Sequence, residues 1–267
     1  SQKMLPYALL FISSSLAASY DEILDVGGFT DSAAKVVTAK VKSQTAFEKD
    51  GLIYTKVSLD VKKTWMGPRN RITHINVVGG TYGDLTLTVS GAPKFETGED
   101  TLLFLDDNQI IGFGQGAFAI KDGRATRDLD NPMDEGPQDF DLKDTLPDEE
   151  VARDCLETKV WEDYDDGWSL RTLDASSAGE GEMQAYPITL MQGLDYKFLS
   201  CTDEKATSVS ITIYDEDGNV IENVNEDGRE ALLEFRAVET EQVYLTVEAT
   251  VEDEVKQVGT SVGILYK

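Results

Sequence analysis

The sequence predicts a mostly-β chain of two modules: a small N-terminal β-barrel or sandwich and a C-terminal antiparallel β-sandwich, joined by an acidic linker. Three observations predict it. Short stretches of alternating apolar and polar residues recur in two regions. Gly, Pro, Asn and Asp punctuate them at short intervals. Between the two regions the chain becomes rich in carboxylates and prolines.

In chain order, residues 1–18 come first. Lys3 precedes an apolar run from Met4 to Leu16, and the small residues Ala17, Ala18 and Ser19 follow. This is the pattern of a signal peptide, and the run is shorter than the about 20 residues needed to span a bilayer. The other reading is a retained apolar helix that docks on a partner or a membrane surface through residues 4–18. With no cysteine at the cleavage position, a lipoprotein anchor is not expected.

Residues 19–127 form the first module. Tyr20–Val26 has helical spacing, and Gly27-Gly28 is expected to stop it. Strands follow at Val36–Val41, Leu52–Val61, Ile72–Val78, Leu85–Val89 and Thr101–Leu105. Turns are expected at Gly67-Pro68, Gly79-Gly80, Gly91-Ala92-Pro93 and Asp106-Asp107-Asn108. Ile110–Ile120 contains Gly112, Gly114 and Gly116 and reads as one kinked or bulged strand.

Residues 128–160 are expected to be the linker. From Asp128 to Asp166 there are 16 acidic residues against three basic ones, Lys143, Arg153 and Lys159. Half of the chain's net charge lies there, so a solvated segment with one short helix near Asp148–Arg153 is the expectation. Residues 161–267 then carry strands at Trp168–Leu173, Met183–Leu190, Asp195–Ser200, Val209–Tyr214, Val220–Ile221, Ala231–Phe235, Val243–Thr250 and Val258–Leu265. That spacing reads as a sandwich.

The bulk numbers bound the function. Hydrophobic residues make up 40% of 267, enough for a real core. Against 50 acidic residues stand 24 basic ones, a formal charge of −26. Phosphate contacts need clustered Lys and Arg, so a nucleic-acid partner is not expected. An anionic membrane surface is disfavoured for the same reason. A cation or a basic partner is favoured, and adaptation to salty surroundings explains the charge equally well.

Two resemblances enter here. Gly193-Leu194-Asp195-Tyr196-Lys197-Phe198, the hairpin Ile211–Asn219 and the strand Val243–Val247 make the C-terminal module similar to the bacterial pre-peptidase C-terminal domain. That resemblance implies a secreted β-sandwich used in binding or targeting. In the N-terminal module the segments are Gly51–Thr55, Trp65-Met66-Gly67, Val78-Gly79-Gly80, Gly91–Phe95, Gly98–Leu105 and Gly112–Gly116. It resembles an uncharacterised exported bacterial domain found near matrixin-type metalloproteases, which implies location and context but no active site.

No concentrated chemistry is visible, and the chain is not expected to be an enzyme. The run Gly259-Thr260-Ser261-Val262-Gly263 matches G-x-S-x-G in letters alone, inside a strand pattern and with no histidine after it. The single histidine, His74, sits in an alternating strand and lacks an H-E-x-x-H context. Gly112–Gly116 lacks a GK[ST] ending, so it is not a phosphate loop. Carboxylates abound, and no pair stands out for glycan hydrolysis.

Calcium is the most reasonable ion. Asp215, Asp217 and Asn219 are its candidate ligands, at i, i+2 and i+4 of one turn, with Asp203 nearby in sequence. Gly218 falls at position 4, so the loop is not an EF-hand, and a plain Asp-Gly hairpin turn is the alternative. Cys155 and Cys201 form either one structural disulfide, if the chain is exported, or two independent small apolar residues. No cofactor other than calcium is implied. The expected role is a non-catalytic binding or assembly protein, exported to the periplasm, cell surface or extracellular space, with a protein or glycan partner. The alternatives are an accessory factor of a secreted metalloprotease and a carboxylate-based glycan-active enzyme.

Overall fold

The computed structural model describes residues 25–127 and 139–267. The leader at residues 1–18 and the part of the expected linker at 128–138 lie outside them.

The first described element is the helix α1 (Val26–Ser32). It contains the glycine pair that was expected to end a helix. Asp25 caps it by accepting from Gly28 N at 2.7 Å, and fully buried Phe29 anchors it. Burial of one aromatic ring thus outweighs two poor helix formers.

The strands of this unit are β1 (Lys35–Lys49), β2 (Leu52–Met66), β3 (His74–Val78), β4 (Gly80–Tyr82), β5 (Leu85–Leu87), β6 (Asp100–Asp106), β7 (Gln109–Ile110), β8 (Ala117–Lys121), β9 (Arg124–Thr126) and β10 (Asp139–Asp141). They form an open sheet in the order β10-β9-β8-β6-β1-β2-β3, with β7 on β6 and β4–β5 as a separate ribbon. Among the described residues no barrel closes, so of the two expected shapes for this unit the barrel is set aside.

Long β1 and β2 are joined by Asp50-Gly51 at φ 53° and 78°. Two left-handed residues are what a two-residue hairpin turn demands, and Asp-Gly supplies them at low strain. Neighbouring β6 reads D-T-L-L-F-L-D and is buried on both faces. Leu102 and Phe104 pack with Phe29, Phe118 and Phe140, while Leu103 and Leu105 pack with Val37, Val57 and Ile75.

Ile110–Ile120 is not one bulged strand. It is β7, a glycine loop and β8. The glycines allow close backbone approach: a Cβ on Gly114 would lie 2.5 Å from the Gly91 carbonyl oxygen.

The expected linker is corrected over residues 139–160. After β10 come α2 (Leu142–Thr145) and the 17-residue helix α3 (Glu149–Asp165). Ala152, Leu156 and Val160 recur every four residues and are buried, and Leu142 and Leu146 enter the first unit's core. Most of the acidic residues occupy caps and outer positions, while largely buried Asp163 meets Lys197 Nζ at 2.6 Å, so composition concealed an ordinary helical period.

The second unit comprises β11 (Ser169–Gly179), β12 (Met183–Leu190), β13 (Asp195–Thr202), β14 (Ala206–Tyr214), β15 (Val220–Asp227), β16 (Glu230–Arg236), β17 (Glu241–Val251) and β18 (Gln257–Tyr266). Two four-stranded antiparallel sheets, β11-β18-β13-β16 and β12-β17-β14-β15, enclose a core of Tyr196, Phe198, Ile211, Leu233, Leu245 and Ile264, among others. This is the sandwich that the spacing predicts. A third layer was not expected: α3 covers the outer face of the first sheet through Leu156 and Val160 against Leu199 and Leu265. The second module's boundary at 161 therefore moves back to include α3.

Candidate functional site at the junction of the two units

The first turns of α3 touch both β units. Asp148 caps the helix, its Oδ1 accepting from Val151 N at 3.1 Å. Its Oδ2 meets Lys63 Nζ of β2 at 2.6 Å. Its own backbone N–H donates to Asp203 Oδ2 at 2.9 Å. Glu149, one residue on, accepts from Gly67 N and from the Ser177 hydroxyl, each at 2.8 Å. Arg69 Nη2 reaches Asp154 at 3.3 Å on the exposed side.

Asp203 is the buried centre, 1% exposed. Its Oδ2 also accepts from Gly259 N at 2.7 Å and Lys205 Nζ at 3.1 Å, and its Oδ1 accepts from Lys205 N at 2.9 Å. A buried carboxylate is tolerable only when it is paired and hydrogen-bonded, and here it is both.

An open cleft of about 290 Å³ lies beside this cluster, lined among others by Asp31, Met66, Gly67, Glu149, Ser177 and Gln257. Burial raises the Glu149 carboxyl above its ordinary value, although the bonds from Gly67 and Ser177 oppose that. A carboxyl held high in the folded chain binds its proton more tightly there than in the unfolded chain. Its contribution therefore favours folding at acid pH and is lost as pH climbs from about 4.3 through the raised value. Glu149→Gln keeps an acceptor for Gly67 N and can donate to the Ser177 oxygen. Its urea midpoint is expected to fall less than that of the wild type between about pH 4 and pH 7. Parallel curves would refute the assignment.

Cys155 of α3 and Cys201 of β13 are bonded to each other, with Cα atoms 6.0 Å apart. The bridge closes a loop of 46 residues and staples α3 to the sandwich. Reduction is expected to lower unfolding stability by about 2–4 kcal/mol, measured by urea unfolding with and without dithiothreitol.

Asp215, Asp217 and Asn219 share the β14–β15 turn. Asp215 Oδ1 accepts from Asp217 N at 2.9 Å and Asn219 N at 2.8 Å, and Oδ2 from Asn219 Nδ2 at 3.0 Å. The Asn219 bonds hold the Asp215 carboxyl below its usual range. A calcium ion would take the same two oxygens that these N–H groups use, and Asp217 contributes its backbone N–H to the turn. Asp203, nearby in sequence, faces the α3 junction instead.

Ser261 of the G-x-S-x-G match is 2% exposed, and its hydroxyl lies 2.9 Å from both the Ala152 and Cys201 carbonyl oxygens. It ties α3 to β13. His74 is half-buried on the sheet-edge strand β3, its Nδ1 3.1 Å from Thr73 Oγ1.

The sequence reading missed the roles of Asp148, Glu149 and Asp203. Pro147-Asp148-Glu149-Glu150 is a helix-start signal that was available for the first two. Beyond neighbouring Lys205, the partners of Asp203 lie 55 and 56 residues away, so its role at the junction leaves no local mark.

No family model matches the chain, and no curated protein matches it. Similar solved structures include one described as "Bacillus endospore appendages form a novel family of disulfide-linked pili", 16% identical over 37% of this chain and 90% of that one, with a TM-score of 0.24. Another is infectious bursal disease virus Gt strain, 11% identical over 88% of this chain and 67% of that one, with a TM-score of 0.25. TM-scores of this size place the chain in neither group.

Proposed function

We propose that the chain is a non-catalytic binding or assembly protein that acts after export, at the cell envelope or outside it. One observation carries this reading. The polar groups with chemical potential are used in architecture: Asp148, Glu149, Asp203 and Ser261 all hold α3 to the β units. Side chains suited to contact remain outside, among them Trp161, Tyr164, Met183 and Tyr244, each at least 41% exposed. Exposed aromatics of this kind serve as anchors in interfaces. The Cys155–Cys201 bridge suits an oxidising compartment, which supports the export reading. Among the described residues, no helix is long and apolar enough to cross a membrane.

The test is cross-linking and affinity isolation from the native envelope, followed by mass spectrometry. One dominant stoichiometric partner supports the reading. A secreted metalloprotease in that place would turn it into the accessory-factor reading, which rests on the N-terminal resemblance. Turnover of a glycan by purified protein, lost on mutation of a carboxylate pair, would overturn it.

A further inference from the structure

The charge of this acidic chain is distributed unevenly. Residues 35–71, the β1–β2 ribbon and the turn after it, carry nine basic and three acidic residues, net +6. The remaining 15 basic and 47 acidic residues give −32. The inner end of the ribbon uses its charge within the molecule, where Lys63 and Arg69 meet Asp148 and Asp154 of the α3 region. Lys42, Lys56, Lys62 and Arg71 are exposed. Lys62 Nζ lies 2.5 Å from Asp60 Oδ2, and Asp60 sits opposite Lys40 in the β1–β2 ladder, two residues from Lys42; Lys62, by hydrogen bond and charge, and Lys42 and Arg71, by charge, also hold the Asp60 carboxyl low.

The complementary feature lies on α3. Its 17 residues include seven acidic and two basic ones. Asp154, Glu157, Trp161 and Asp165 recur at three- and four-residue spacing along the side away from the sandwich. Trp161 is 62% and Tyr164 56% exposed, and their rings pack edge to face with centroids 5.7 Å apart. The chain has three tryptophans. Two carry a lysine over the ring: Lys63 at 4.3 Å over Trp65 and Lys197 at 4.7 Å over Trp168. Among the described residues, no cation covers Trp161. A lysine or arginine over a tryptophan face is attracted by the ring, more so beside carboxylates and near the negative end of a helix.

We infer that the chain associates with a second copy of itself, the Lys42–Lys62–Arg71 patch of one docking on the Trp161–Tyr164 face of α3 in the other. The inference rests on the assembly reading and gives it an interface. The patch and the receiving face differ, so the contact is heterologous and extends head to tail.

Sedimentation velocity on the full chain tests it. The wild type is expected to form dimers and larger species as concentration rises. Association should weaken about tenfold or more between about 0.1 M and about 1 M NaCl, where the screening length falls from about 10 Å to about 3 Å. Trp161→Ala alone, and Lys42→Glu/Lys62→Glu/Arg71→Glu alone, should each sediment as monomers with unchanged circular dichroism. Each variant retains the surface that the other lacks, so their mixture should form a one-to-one dimer that grows no further. A wild type that stays monomeric at low salt overturns the inference. So does either variant associating like the wild type, or a mixture that stays monomeric. A different partner in the affinity isolation would then leave the binding reading standing, so the two failures are distinguishable.

Discussion

Gly259→Ala is expected to destabilise the chain by about 4 kcal/mol or more, among the largest effects of any single methyl group in it. A Cβ at this position of β18 would lie 2.4 Å from the Asp148 carbonyl oxygen, 2.5 Å from its carbon and 2.8 Å from Glu149 N. All three are backbone atoms at the start of α3, so no rotamer change relieves the clash. Gly259 also pairs with Asp203 in both directions, Gly259 N donating to Asp203 Oδ2 and Asp203 N to the Gly259 carbonyl. Either the helix start lifts or the strand edge shifts, and the Asp203 bonds stretch in both cases. Gly263→Ala on the same strand is the internal control. Its Cβ would meet Leu156 Cδ1 and Val160 Cγ2 at 3.3 Å, side-chain atoms that can yield. Urea unfolding should rank Gly263→Ala well above Gly259→Ala in stability. Equal losses would mean that α3 does not dock on β18 as described.

Asp203→Ala carries the second large effect, about 3–5 kcal/mol. The change strands buried Asp148 N and Gly259 N and leaves Lys205, its side chain 10% exposed, without its carboxylate. Orphaned buried donors and an uncompensated buried charge each cost more than the intact bonds contribute. Asp203→Asn keeps the shape and one acceptor oxygen, so it should fall between the wild type and the alanine variant. Because the carboxylate joins α3, β13 and β18, the loss should appear in fluorescence and circular dichroism together as one transition. An alanine variant within about 0.5 kcal/mol of the wild type would refute the network.

Much of the fold was legible because strands report themselves locally. Leu52–Val61 alternates and lies within β2, and Met183–Leu190 matches β12 residue for residue. The Asp215–Asn219 turn joins β14 to β15 as the expected hairpin. Legibility failed where two signals competed. The 139–165 segment read as linker because carboxylates dominate its composition, although Ala152, Leu156 and Val160 already marked a buried stripe. The glycines of 112–116 read as a strand because their role, admitting Gly91 and Phe104 backbone at close range, needs a partner distant in sequence.

The amino-acid sequence by itself determined the β class, the two strand-rich regions, the hairpin turns and the acidic balance, since each depends on neighbours within a few residues. Only the tertiary structure decided what Asp203, Ser261 and Gly259 do, which face α3 covers, and that Trp161 stays exposed. Those outcomes depend on which side of a sheet a helix packs against, and hence on contacts between residues 50 to more than 100 positions apart. Local propensity carries no record of such pairings; burial and the need to satisfy buried polar groups select them when the chain closes on itself.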